Sequence, residues 1–141
     1  MCKFFNNKSF LLCLIIAFGS YLRLFELINI PLTHDELSAL NRLKFNSFSD
    51  LINYGVKVDG HPAGIHLFLY LWTNLLGTHD FIVKIPFVFM GISSIYLSYY
   101  LAKSWYNYKV GLLVSSYIST IQFTVLYSLI ARPYISGLFF V

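Results

Sequence analysis

Long apolar runs separated by short polar ones make up most of the chain. After Lys3 and Lys8, residues 9–22 carry no charge, and a helix from 9 to 28 rises about 30 Å, enough for one membrane crossing. Residues 31–60 form the one polar stretch. Three apolar segments follow it: 62–77, about 24 Å long as a helix and short for a crossing; 82–103, uncharged from 85 to 102; and 109–130, which after Lys109 falls in an uncharged run from 110 to 131. The pattern predicts an all-α fold, a polytopic membrane helix bundle in which residues 1–141 form one membrane-embedded region. A signal peptide is the competing reading of the first run. It fails because no small-residue cleavage site follows and more apolar segments do.

Within 31–60 the periodicity becomes amphipathic. Leu37, Leu40, Leu43 and Phe45 recur at helical spacing opposite Asn41, Arg42 and Lys44, and a weaker set follows over 48–54 with Leu51 and Ile52. Both are expected as amphipathic surface helices in a first extracytoplasmic loop. Arg23 and Glu26, three residues apart near the end of the first run, read as a snorkelling ion pair.

Charge fixes the class of partner. Charged residues are only 11% of the chain, where a soluble domain carries about a quarter, and this excludes a soluble enzyme, a disordered tail and a nucleic-acid partner despite the net charge of +4. The excess is better read as topology: Lys3 and Lys8 put the N-terminus in the cytoplasm and 31–60 outside. If every later segment crosses, Lys103 and Lys109 face outward and Arg132 inward. If 62–77 is embedded without crossing, those lysines face the cytoplasm and Arg132 returns to the loop side. Charge favours the second arrangement and hydropathy the first. Cys2 and Cys13 read as free thiols. The apolar run 136–141 stops without a flanking charge, which predicts a chain cut from a longer one.

Two short clusters are equipped for chemistry. In Thr33-His34-Asp35-Glu36, Thr33 and Glu36 fit a capping box, while Asp35 at a membrane surface suits a general base or a metal ligand with Glu36 beside it. In Asp59-Gly60-His61-Pro62 the plain reading is a turn with proline opening a helix; the functional one is an oxygen and a nitrogen ligand that with Asp35 would suit a divalent ion. His66 reads as a bundle-facing hydrogen-bonding group. Lys84 and Arg132 are cations beside or within apolar segments, which either snorkel or hold a lipid phosphate.

The order of these pieces, ending in Ala131-Arg132-Pro133-Tyr134, resembles the polyprenyl-phosphate-sugar-dependent membrane glycosyltransferases of the GT-C type, and within them the protein O-mannosyltransferase and aminoarabinose transferase group. The resemblance spans the whole chain and corresponds to the N-terminal part of such an enzyme. It implies a plasma-membrane enzyme, as in the bacterial inner membrane, that moves a sugar from a polyprenyl-phosphate donor to a lipid, glycan or protein acceptor outside the cytoplasm. It implies catalytic roles for Asp35 and Glu36, and donor binding by His61, Lys84, Arg132 and Asp59. His-Pro-Ala stands where His-Pro-Pro is commoner, and Gly60 stands where aminoarabinose transferases carry a metal-binding glutamate, so a divalent metal is left open as a cofactor. The family's later outer loop is absent, and these 141 residues alone are expected to be inactive. The rivals are a lipid-phosphate transporter or flippase, marked by ionisable or helix-breaking residues midway in several membrane segments, and a small structural membrane protein.

Overall fold

The computed structural model describes residues 7–45 and 47–141, the side chains of Asn7, Lys8, Glu26 and Ile28 excepted. Cys2 and Lys3 therefore lie outside the described residues. Among those described the fold is all-helical: α1 Asn7–Asn29, α2 His34–Asn41, a single turn α3 Phe48–Asp50 continuing as a π-helix Leu51–Val56, α4 Ala63–Leu76, α5 Asp80–Trp105, α6 Tyr108–Thr120, α7 Gln122–Ser128 and α8 Pro133–Phe140. The weak periodicity over 48–54 thus becomes a π-helix.

Capping decides where several of these helices begin. Thr33 and Glu36 form the expected capping box at α2: the Thr33 hydroxyl accepts from Glu36 N–H, and Glu36 accepts from Thr33 N–H at 2.8 Å. Asn107 Oδ1 accepts from the N–H groups of Lys109 and Val110 to open α6. Pro133 takes the first position of α8, where its missing N–H costs nothing.

α5 carries Pro86 in its interior, which leaves the carbonyl of Ile82, four residues earlier, without a helical donor. The indole N–H of Trp72 fills the gap at 2.7 Å and ties α4 to α5. The apolar segment 109–130 is one run in sequence but two helices in space, bent by 58° at Ile121. The break is held from a distance. Arg23 of α1, wholly buried, donates to the carbonyls of Ile118 and Ser119 that the break leaves free, to Gly19 O, and to the hydroxyls of Thr124 and Ser128. These five neutral acceptors match the five N–H groups of a guanidinium. The expected snorkelling pair is not how Arg23 is used; Glu26, the expected partner, has its side chain outside the described ones.

α1, α5 and the α6–α7 pair pack lengthwise through small residues. A Cβ on Gly91 would collide with the side chain of Ser128, so only glycine lets α5 approach α7 this closely. Polar and apolar side chains share the interior, and many large apolar ones lie on the outside. Arg23, Ser94, Ser115, Ser119, Thr124 and Ser128 are buried, while Phe18, Phe25, Phe89, Tyr100, Leu113 and Phe123 are exposed. Among the described residues α5 alone is long and apolar enough to cross a membrane by itself, and α6 with α7 passes as a bent pair.

One end of the bundle gathers α2, α3, the π-helix, α4 and the start of α8. Lys84, one turn into α5, donates to the carbonyls of Ile30 and Pro31 just past the end of α1, at 2.8 and 2.9 Å, so α5 starts where α1 finishes. α4 begins beside Asp59 and ends near the start of α5; both its ends lie at this polar end, and Arg132 returns to it. An apolar core of Leu43, Leu51, Ile65, Leu69, Val83, Phe87, Ala131 and Ile135 fills the space beneath. Leu40, Leu43 and Phe45 pack on that core, as their spacing predicts, and within α2 Glu36 and Ala39 are buried; Leu37, expected on the same face, is exposed.

Candidate functional site

Six charged or titratable side chains converge at the polar end. Arg132, buried between α7 and α8, holds Asp35 with a two-point fork: Nη2 donates to Oδ1 at 2.6 Å and Nε to Oδ2 at 2.9 Å. Its Nη1 donates to Asp59 Oδ2 at 3.2 Å. Asp59 also meets Arg42 Nη1 at 2.7 Å and His61 Nδ1 at 2.7 Å. His66 Nε2 lies 3.0 Å from Asp59 Oδ2 but out of line for a hydrogen bond, and neither nitrogen of this buried ring has a hydrogen-bond partner.

The local structure explains the convergence. Asp35 stands in the first turn of α2, where an acid is favoured, and its side chain is free because Thr33 does the capping. Glu36, its neighbour, points the other way. One oxygen serves Thr33 and the other accepts from the N–H of Ala131 at 2.7 Å, which fixes the backbone next to Arg132. Arg42 follows the last residue of α2, and Gly55 of the π-helix packs against the Arg42 carbonyl, where a Cβ would come within 2.6 Å.

Exposure divides the two carboxylates. The Asp35 side chain is 50% exposed and that of Asp59 only 5%. Asp35 is held below the ordinary carboxylate value by its hydrogen bonds from Arg132, against an opposing push from burial. Burial by itself pushes Asp59 up; the hydrogen bonds from His61 and Arg132 and the charges of Arg132 and Arg42 more than reverse it. Two carboxylates and two guanidiniums leave the cluster neutral apart from its imidazoles.

Of the residues expected from sequence, Asp35, Asp59, His61 and Arg132 are brought together. Glu36 is turned away from the opening and acts on the backbone beside Arg132. Lys84 spends its ammonium on the carbonyls of Ile30 and Pro31, which follow the end of α1. Arg42 and His66 join the cluster without having been singled out as members of it. Only the helical periodicity that put Arg42 on the polar face of α2 hinted at its exposure, and nothing local pointed it at Asp59.

A divalent ion does not fit this donor set. Both oxygens of Asp35 face Arg132, Asp59 is shared among two guanidiniums and an imidazole, and a dication there would sit against Arg132. Among the described residues no three His, Cys, Asp or Glu side chains converge as metal ligands. Comparison with protein-family models, curated proteins and solved structures finds no match for the chain.

Proposed function

We propose that the chain is the donor-binding part of a polytopic membrane glycosyltransferase that moves a sugar from a prenyl-phosphate carrier to a hydroxyl acceptor at the extracytoplasmic face. The observation that carries this reading is the Asp35–Arg132–Asp59 cluster at one end of a bundle whose exterior is apolar. A half-exposed carboxylate stands beside a buried guanidinium and the part-exposed His61, so a base and a phosphate ligand share one opening. An apolar groove of about 460 Å³, lined by Pro62, Ile65, Phe68, Met90, Pro133 and Phe140, starts at the residues next to His61 and Arg132 and suits a prenyl chain.

The membrane setting is supported by the many large apolar side chains on the outside and by packing through glycine and serine, as membrane helices pack. With the start of α1 at the cytoplasmic side, as the N-terminal lysines suggest from sequence, the polar end faces outward, α4 is embedded without crossing, and Arg132 returns to the loop side. In the reaction the acceptor hydroxyl attacks the anomeric carbon from the face opposite the phosphate. Asp35 takes the proton, and Arg132 and His61 meet the charge left on the departing phosphate. Glu36 and Lys84 have no part in this step; they hold α2 and the start of α5.

Purified chain in detergent is expected to retain a radiolabelled prenyl-phosphate sugar on a filter and to lose that retention with Arg132→Gln. Equal retention by the variant refutes the phosphate assignment.

A lipid-phosphate transporter is the second reading, and Arg23 at the broken α6–α7 helix favours it. A buried cation at a helix break inside the bundle is what that class predicts. Movement of a fluorescent prenyl phosphate across proteoliposomes, dependent on Arg23, would select it.

A further inference from the structure

Among the described residues Asp35 has one partner. Both of its oxygens accept from Arg132, and a carboxylate so held is stabilised in its charged form and is a weak base. The arrangement that marks Asp35 as the base therefore also disables it. Arg132, in turn, commits three of its five N–H groups, two to Asp35 and one to Asp59, which leaves one on each terminal nitrogen uncommitted; the guanidinium is buried, and the half-exposed Asp35 stands between it and the opening.

Resting on the donor-binding role argued above, we propose that Arg132 is a donor-sensing latch: the carrier phosphate draws the guanidinium off Asp35, and only the released carboxylate accepts the acceptor's proton. The exchange trades one anion for another on the same fork, so the ion pairing lost at Asp35 is regained at the phosphate. The resting cluster, neutral apart from its imidazoles, presents no excess negative charge to repel a phosphate. His66, buried 3.0 Å from Asp59 without a hydrogen bond, stands ready to close on Asp59 as Arg132 shifts.

The step then balances. The acceptor O–H bond breaks and its proton passes to Asp35; the acceptor oxygen bonds to the anomeric carbon; the bond from that carbon to the phosphate oxygen breaks, its electron pair staying on the prenyl phosphate held by Arg132. The product phosphate monoester carries more charge than the donor diester and grips Arg132 harder. Its departure, with loss of the Asp35 proton to water, resets the latch.

The groups facing Asp35 are Arg132 ahead of α8 and Asp59 and His61 ahead of α4, and a test must follow Asp35 and Arg132 together. The 141-residue chain, labelled with aspartate ¹³Cγ and arginine ¹⁵Nε, is titrated by NMR in detergent micelles with farnesyl phosphate, with inorganic phosphate and with farnesol. Farnesyl phosphate is expected to raise the Asp35 midpoint by about one pH unit, roughly a tenfold gain in proton affinity, and to move the Arg132 Nε–H signal in the same titration. Farnesol is expected to do neither. The same response to inorganic phosphate supports the latch and assigns it to the phosphate without the tail. Asp35→Asn, isosteric and with the cap intact, is expected to bind farnesyl phosphate several-fold more tightly because no carboxylate competes for Arg132. Binding that leaves the Arg132 signal unmoved, or a shift produced by farnesol, overturns the latch and leaves the donor reading standing. No binding of farnesyl phosphate overturns both.

Discussion

Arg132 grips both oxygens of Asp35 across 97 residues of sequence, and Glu36 beside Asp35 accepts from the backbone of Ala131 beside Arg132. Two adjacent residues of α2 are thus paired in reverse order with two residues ahead of α8. One pair is charged and opens to the outside; the other is buried and structural. The arrangement separates the roles of two neighbouring acids by direction alone, since consecutive residues on a helix point apart.

Glu36→Ala removes the second half of the capping box and leaves the buried N–H of Ala131 without its acceptor. The expected loss of stability is about 1–3 kcal/mol from the unpaired donor. Thermal unfolding of the detergent-solubilised chain checks this. A variant as stable as the parent would mean that α2 is held by its apolar contacts alone.

Asp35 and Asp59 are both depressed below their ordinary value, which fixes the sign of their pH dependence. A carboxylate with a lowered folded-state pKa contributes stability above its unfolded pKa, about 3.9, and loses it as pH falls through the folded value. The thermal midpoint should accordingly owe no change to these groups from neutral pH down to about 4 and should decline below it. Asp59→Asn should flatten that acid limb. A limb that the variant leaves unchanged would show that the cluster does not set acid stability.

Gly91→Ala forces a methyl group against Ser128, whose hydroxyl is one of the five acceptors of Arg23. The expected cost is about 1–3 kcal/mol, the range for overpacking a tight contact. Thermal unfolding in detergent checks this, and a variant as stable as the parent would show that α5 and α7 can part without cost.

The helices were legible in sequence because apolar runs and caps are local signals. Thr33 with Glu36 and the uncharged run 85–102 both predicted elements that form. The break at Ile121 was not legible: no glycine or proline marks it, and the donors that stabilise it come from Arg23, about a hundred residues away. For the same reason Lys84, Arg132 and Arg23 looked alike as cations in apolar surroundings. One ends on carbonyls, one on carboxylates and one on a helix break, a distinction made by tertiary packing. The apolar face of α2 was legible at Leu40, Leu43 and Phe45 but not at Leu37, which is exposed while Glu36, a charged residue, takes a buried position that its hydrogen bonds to Thr33 and Ala131 make tolerable.

Accessibility labelling separates a crossing α4 from one that returns. Single cysteines at Ser47, Thr78 and Ser104, in a chain without Cys2 and Cys13, occupy exposed positions. Ser47 and Thr78 lie at the polar end, Ser104 at the other. An impermeant thiol reagent applied to intact cells should label the first two and spare the third. Labelling of Ser47→Cys without Thr78→Cys would mean that α4 crosses and would overturn the placement of Arg132 beside Asp35.

Asp35→Asn and Thr33→Ala separate chemistry from helix capping at neighbouring positions. Thr33 caps α2 and Asp35 does not, so Asn at position 35 keeps the helix start and a carbonyl for Arg132 but loses the charge and the ability to take a proton. Thr33→Ala should cost about 1 kcal/mol of stability and leave transfer nearly intact, as loss of a cap does. In the complete enzyme, Asp35→Asn should lower sugar transfer from a prenyl-phosphate donor, measured in membranes from cells making it, by at least about a hundredfold, as loss of a general base does. Stability should move far less, because half the Asp35 side chain is exposed and an ion pair open to water contributes little. If Asp35→Asn is made in normal amount and keeps more than about a tenth of the parent's turnover, Asp35 is not the base, since even a weak general base accounts for more than that.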